Sequence, residues 1–556
     1  INGGNFDEIV AGGINGYTGT AKLTIDASSG KSIVTGLISS GNRGQVSNVT
    51  VDIKSLGTEG SANIVVIGAL SGFTSTDGGP NAIFDNITFK ITEDINGIDK
   101  IFLGGAKWSK GSNPWITSRI NSLSDTTITI DAPGYTVSAA DISNANDYTN
   151  ITVQASDYTI GDGKTWTLTE SSKLEIIEGS SLTTNGSGKF INEGIIEVNS
   201  ADALKNAINL CSGTIKLMDN INVVNSVDVN VEEGYTTSLL ISNNVTLDLN
   251  GHTLTLSSAG SGIYVGAGGY LTIMDSSNSK GSIIYTYSDM SNATIMVNGT
   301  SPDYAQLVLE KCNIFVVNTT GAYDAGYGVF ASTYSKVSSD KDVSITAGYS
   351  AISGNGTDNG AEITISGGKY TSNASAAIFF PSTTNLTVTG GKFIGKTGFD
   401  IRAGTVSISN AEISINQNEP IDSTGASGPS SWGMGVAVID HPNYGSVGTT
   451  GNKSYSDISV TISKTAVTGA KYDLYVGDLN RGKNGEFLGT DGTFTANHSI
   501  EVEVNGSTVY TVAADDTNAE RFTSTIKSSS GGSSGGYPVN PPVTPDTPEE
   551  PIIPDS

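Results

Sequence analysis

At 556 residues the chain has room for two or more domains, and 37% hydrophobic with only 7% aromatic content suits a long, thin core. A net charge of −26 repels nucleic-acid phosphates and anionic lipid, so nucleic-acid and peripheral-membrane partners are excluded. No run of 18 apolar residues occurs, and no membrane insertion is expected.

The 69 glycines, together with abundant Ser, Thr and Asn, supply turns at short intervals and point to an all-β chain. In the first part, Ile9-Val10-Ala11-Gly12, Ile33-Val34-Thr35-Gly36, Val65-Val66-Ile67-Gly68 and Ile101-Phe102-Leu103-Gly104 alternate with Leu23-Thr24-Ile25, Val49-Thr50-Val51, Ile87-Thr88-Phe89 and Ile128-Thr129-Ile130. The closing glycines are 24, 32 and 36 residues apart, so the coils lengthen by loop insertion. This reads as an N-terminal β-solenoid over residues 1–140. A connecting β-stack follows over 141–199, where Trp166, Leu168, Leu174, Ile176, Leu182 and Ile196 are separated by tight Asn-Gly and Glu-Gly turns.

One helix is predicted, from Ser200 to Leu210. Ser200 can cap it, and Ala203, Leu204, Ala207, Ile208 and Cys211 share one face. An amphipathic helix ahead of a β-ladder covers the open end of its core, which places a domain boundary at about residue 199. From there β-branched steps recur: Val343-Ser344-Ile345-Thr346, Ile363-Thr364-Ile365-Ser366-Gly367-Gly368, Leu386-Thr387-Val388-Thr389-Gly390-Gly391 and Val406-Ser407-Ile408-Ser409. Their starts are 20, 23 and 20 residues apart, a period that fits one coil of a β-solenoid with no helix in it.

The helix at Ser200-Ala201-Asp202-Ala203-Leu204-Lys205 and the rung Val245-Thr246-Leu247-Asp248-Leu249-Asn250-Gly251-His252-Thr253-Leu254 resemble the right-handed parallel β-helix domains of bacterial cell-surface, adhesin-like proteins, which share the pectate-lyase-like architecture. The resemblance spans roughly residues 200 to 515. It implies a right-handed parallel β-helix over 200–527, and it leaves function open, because that architecture hosts lyases, hydrolases, adhesins and spacers.

Function in a β-helix sits on an outer face or in loops that swell from a turn. Gaps from an apolar strand to the next β-branched one run 14, 11, 8 and 5 residues and then widen to 23 between Ala437 and Val460. That excursion holds Asp440, His441, Pro442, Asn443 and Tyr444, with Trp432 just before the strand leading into it. Aromatics that can stack on sugar rings, beside Asp and Asn for hydroxyls, make Trp432, Asp440, His441, Asn443 and Tyr444 the expected ligand-binding residues for a cell-wall or host glycan.

Enzymatic signals are weaker. Val438-Ile439-Asp440-His441 resembles the Trp-Ile-Asp-His segment of pectate lyases, but Val438 replaces the Trp, and Arg481 and Arg521 lack the expected frame. Asp515-Asp516 and Gly251-His252 match only fragments of the polygalacturonase pattern. Asp400 and Arg402 share a strand face and are expected as an exposed ion pair. His252, His441 and His498 lack metal-ligand spacing, so no metal site is expected. The loop Asp478 to Glu486 starts like a calcium loop but has Gly482 and Gly489 where acidic ligands belong. Calcium is thus the one cofactor it leaves open. Cys211 and Cys312 sit among apolar residues and read as buried core positions.

After Lys527 a Ser/Gly tract and then seven prolines between Pro538 and Pro554 make 528–556 an extended linker. Such a spacer is expected to lead to an anchoring region C-terminal to this chain. The chain opens at Ile1 with neither Met nor a basic-apolar leader, consistent with a signal peptide already removed. The expectation is a non-catalytic, extracellular cell-surface adhesin or display protein, possessing glycan contacts on its loops. The alternatives are a β-helix carbohydrate-active enzyme, either lyase or hydrolase, and a surface-layer or filament subunit.

Overall fold

The alternation of inward Val, Ile and Leu with outward Thr, Ser and charged residues builds a parallel β-solenoid, here described from a computed structural model. The structure describes residues 1–523 and 526, apart from 13, 72–82, 93–94, 105, 108–122, 144–150, 211, 225–226, 229–235, 288–292, 319–325, 357–359, 417–432, 448–453, 479–492 and 520. Cys211, Trp432, most of the calcium-like loop and the Pro-rich linker therefore lie outside the described residues. Among the described residues, no helix is long and apolar enough to cross a membrane.

One parallel ladder, sheet 1, runs nearly the whole length. Gly4–Val10 pairs with Ile33–Ser55, which pairs with Ser61–Ser71, and the chain of parallel pairings continues without a break to Ile500–Val504. In the first segment a companion ladder links Ile14–Asp26, Ile33–Ser55, Ile83–Ile91, Thr127–Asp131, Thr165–Leu168 and Lys189–Asn192. From residue 213 onward each coil instead has three strands. Sheet 2 runs from Ile221–Val223 to Ala466–Thr468, and sheet 3 from Thr236–Ile241 to Tyr472–Gly477. The inward side chains form one continuous core from Ile9 to Ile526. The two consecutive solenoid segments thus differ in cross-section while sharing one sheet.

The expected strands are present, but two alignments change. Ile9 pairs with Ile38, whereas Ile33 stands opposite Gly4, so the first coils are offset by five residues from the pattern match. Val343–Ala347 belongs to sheet 2, and the sheet 1 partner of Ile363 is Val337 in Ser335–Ser339. Both errors have one cause: inward Val and Ile recur in every strand, so apolar content alone cannot say which sheet a strand joins.

Helix α1 spans Ala201–Leu210 and buries Ala203, Leu204, Ala207 and Ile208, as its periodicity predicts. Ser200 caps it, its Oγ accepting from the Ala203 N–H at 3.3 Å. The helix takes the place of a strand within a coil. Asn206 Oδ1 accepts from the Leu182 N–H of Ser181–Thr184, which closes that edge, and Asn243 Nδ2 donates to the Ile208 carbonyl. Sheet 1 passes the same level through Ile195–Val198 and Gly213–Leu217, so the ladder is continuous across residue 199.

The corner between sheets 2 and 3 depends on a glycine column. A Cβ on Gly262, Gly328, Gly398 or Gly435 would come within 2.3–2.9 Å of the side chains of Leu256, Ile345, Ile413 or Val467. At the far end two antiparallel strands cover the edges: Ser507–Val512 lies on Ile500–Val504, and Arg521–Thr523 on Tyr472–Gly477. Cys312 is a buried, unpaired thiol, and burial pushes its pKa up to about 12.

Candidate functional site

The three corners of the second segment are built differently. Between sheets 1 and 2 the connections shrink to residues 310–311, 389–390, 410 and 464–465. The long connections, 319–326, 416–433 and 440–457, all border sheet 3, on one side or the other.

Its outer face carries a column in direct register: Leu240, Tyr264, Met296, Phe330, Ser353, Phe379, Asp400, Ala437 and Tyr475. These positions alternate with core residues such as Ile263, Ile295, Val329 and Ile378, which makes the column outward-facing. Phe330 and Met296 are half-buried, whereas Tyr264, Ser353, Phe379, Asp400, Ala437 and Tyr475 are buried. Tyr327 packs edge-on against Phe330 at 5.3 Å and tilted against Tyr349 at 5.6 Å. Beside them a polar chain runs from Thr333 Oγ1 to Asn298 Oδ1 at 2.8 Å and from Asn298 Nδ2 to the Tyr264 hydroxyl at 2.7 Å. Tyr304 stands more exposed on the adjoining turn, edge-on to Tyr334 at 5.7 Å with the Lys336 ammonium 5.0 Å above its ring.

Residues 440–447 fold onto the C-terminal end of this column. Tyr444 is buried, with its ring edge-on to Phe379 at 5.9 Å and tilted against His441 at 5.0 Å. The Arg402 guanidinium lies 5.3 Å from both the Phe379 and Tyr444 rings. Asp400 and Arg402 form a bidentate pair at 2.9 and 3.3 Å, with side chains 0% and 1% exposed. The expected exposed ion pair is therefore a buried one. The loop and the aromatic column enclose it, and a strand-level sequence pattern could not register that cover.

The Asp440 carboxylate is also sealed. It accepts from the Asn497 N–H at 2.9 Å, Asn497 Nδ2 at 2.7 Å and the His498 N–H at 3.1 Å, and it meets His498 Nδ1 at 2.5 Å. His498 Nε2 lies 3.0 Å from the Tyr444 carbonyl, so one side-chain cluster ties the loop to the next coil. Burial raises the Asp440 carboxyl, but the hydrogen bonds from His498 and Asn497 outweigh it and hold the group below its ordinary value. Burial first, and Arg402 second, depress His441 to about 4.

Of the five expected ligand-binding residues, Asp440 and Tyr444 face inward, His441 is half-buried, Asn443 is exposed, and Trp432 lies outside the described residues. The sequence reading missed Tyr264, Met296, Phe330, Phe379 and Asn298. The one signal available was an apolar residue at the outward position of successive sheet 3 strands. A separate open cleft of about 660 Å³ at the C-terminal end is lined by Asp457, Ser459, Glu501, Thr511, Asp516 and Asn518, among others. Among the described residues no group of three or more His, Cys, Asp or Glu could hold a metal ion. No family model, no curated protein and no solved structure matches the chain.

Proposed function

We propose that the chain is a non-catalytic, extracellular bacterial cell-surface adhesin or display rod that holds carbohydrate on the outer face of sheet 3 and its flanking loops. The observation that carries this reading is the half-buried pair Met296 and Phe330 on the outer face of sheet 3, bordered by Tyr264, Asn298 and Thr333. Rings and amides in a trough are the chemistry that stacks on sugar faces and bonds their hydroxyls. The Asp400, Arg402 and Asp440 charges converge nearby, yet they are buried and spent on one another or on the next coil, which favours a structural role for them.

A second reading, a β-helix glycoside hydrolase, is favoured by one observation: Asp457, Glu501 and Asp516 line a common cleft. One experiment separates the two. Purified chain is applied to a glycan array with and without calcium, and the same preparation is assayed for unsaturated-product and reducing-sugar release. Binding without product supports the adhesin. Product release abolished by Glu501→Gln replaces it with the hydrolase, and silence in both assays leaves the filament or spacer subunit.

A further inference from the structure

We propose that the N-terminal edge of the solenoid is an interface for a second copy of this chain, two rods meeting head to head about a two-fold axis, independently of any carbohydrate bound on sheet 3. That edge has two arms, Gly4–Val10 on sheet 1 and Ile14–Asp26 on the companion ladder. Among the described residues, the strand partner of both is Ile33–Ser55, on one side only. The open side presents main-chain groups in a definite pattern. The Ile1 amino group donates to the Thr24 carbonyl at 2.7 Å, and the Asp26 N–H donates to the Ile1 carbonyl at 2.8 Å. By the two-residue alternation of a strand, Lys22 and Thr20, both exposed, also turn their N–H and C=O away from Ile33–Ser55, past the stretch that Ile1 covers. The two bonds of Ile1 show that this side pairs with a further strand.

An open edge of this kind is a template for another strand. At the opposite end Ser507–Val512 and Arg521–Thr523 run antiparallel across the last strands of sheets 1 and 3. Head-to-tail stacking is therefore opposed twice: the far end is covered, and its three-sheet outline differs from the two ladders of the first coils. A like end offers the same two ladders. The charges on the arms suit it as well. Gly4–Val10 carries Asp7 and Glu8, whereas Ile14–Asp26 carries Lys22, all three exposed, and the Asp26 carboxylate is held by Ser28. A two-fold axis near the bend between the arms lays each acidic arm antiparallel to the Lys22 arm of the other copy. The exposed Ile1, Phe6 and Val34 stand on these first rungs and lose water there. Because the contact is isologous, assembly stops at two copies.

The test is sedimentation velocity of the full chain over a hundredfold range of concentration, with amide hydrogen exchange followed on the same samples. The expected result is a monomer–dimer equilibrium with no larger species, and at least tenfold slower exchange of the Thr20 and Lys22 amides in the dimer. Thr20→Pro removes an N–H from the open side, leaves the bonds to Ile33–Ser55 in place, and should weaken dimerisation at least tenfold. Lys22→Glu leaves the backbone untouched and should weaken it as much, with part of the loss recovered when Asp7→Lys is added. An unchanged melting temperature of Lys22→Glu, read at monomeric concentration, shows that the fold is intact. A chain that is monomeric at every concentration, an open series of larger species, or a dimer of full affinity in both Thr20→Pro and Lys22→Glu would overturn the inference.

Discussion

The outer rows of the companion ladder in the first segment and of sheet 3 in the second are built to opposite specifications. In the first, the outward rows of the companion ladder are polar: Thr50, Thr88, Thr129 and Thr167 stand in register, Asn86 donates to Asn48 at 2.8 Å, and Asp52, Lys90 and Asp131 alternate in sign along one row, while on sheet 1 Leu37, Ile64, Val66, Phe102, Ala140 and Ile142 form a separate apolar cluster. In the second, the outward row of sheet 3 is aromatic and apolar until it meets a buried ion pair. Inward Val, Ile and Leu hold both segments, and the outward rows differ in whether they face water or pack under cover. The companion-ladder row meets water. The sheet 3 row is apolar over several coils and largely buried, Tyr444 covering Phe379 at its C-terminal end.

The largest expected effect contrasts the ion pairs of the two segments. Arg402→Met would remove the guanidinium that pairs with the fully buried Asp400 carboxylate, and should cost about 3–5 kcal/mol in denaturant unfolding. Lys90→Met removes an exposed partner 3.5 Å from Asp131 and should cost less than about 1 kcal/mol. The joint replacement Asp400→Leu with Arg402→Met should recover most of the loss, because the cost lies in the stranded charge. Equal losses in Arg402→Met and Lys90→Met would mean that solvent reaches the pair.

Next comes the glycine column. A Cβ on Gly398 would sit 2.4 Å from Ile413 Cγ2 and 2.5 Å from the Gly435 carbonyl oxygen, and the latter is backbone that cannot swing aside. Gly398→Ala should therefore destabilise by about 1–3 kcal/mol. Gly19, in the first segment, has open space around its Cβ position, and alanine there should be close to neutral on steric grounds. Thermal melts of the two variants measure how much tighter the three-sheet corner is.

Acid should loosen the roof over sheet 3 before it disturbs the first segment. The folded chain refuses a proton on His441 until about pH 4, whereas the unfolded chain takes one near 6.5, so stability falls as pH drops between those values and levels off below. Asp440, held below its ordinary 3.8, contributes fully above that value and loses its contribution as pH falls through the folded one. Both signs agree. His441→Asn should flatten the decline between about 6.5 and 4 and leave the steeper loss in stronger acid, as followed by chemical denaturation at stepped pH. An unchanged slope would mean that His441 is solvated in the folded chain.

Periodicity made the solenoid, its helix and the Ser200 cap legible, because each is a local pattern with a direct physical cause. Register was harder: Val343-Ser344-Ile345-Thr346 and Ile363-Thr364-Ile365-Ser366 look alike as strings, yet they occupy different sheets, since both simply alternate inward and outward. The excursion after Ile439 was visible as a length, but its direction was not. Tyr444 turns in toward Phe379, and Asp440 reaches His498, 58 residues along the chain. Such contacts depend on which coil lies next door, information carried by stacking and not by either segment alone.

The smallest effect bears on how far the two segments are separate at all. Ser200→Ala removes the acceptor for the Ala203 N–H and should cost about 1 kcal/mol, the usual loss for a helix cap. If α1 only closed an independent second unit, that loss would appear in the second segment and spare the first. Sheet 1, however, pairs Ile195–Val198 directly with Gly213–Leu217 beside the helix, and Asn206 holds the strand at Leu182 on the N-terminal side. Nearest-neighbour coupling of this kind spreads a local weakening in both directions. The fluorescence of Trp166, buried in the first segment with its indole N–H on the Thr126 carbonyl, should therefore lose its native signal at a lower denaturant concentration in Ser200→Ala, in step with far-UV dichroism. A dichroism midpoint that moves while that of an otherwise Trp-free chain retaining Trp166 stays put would divide the rod at residue 199.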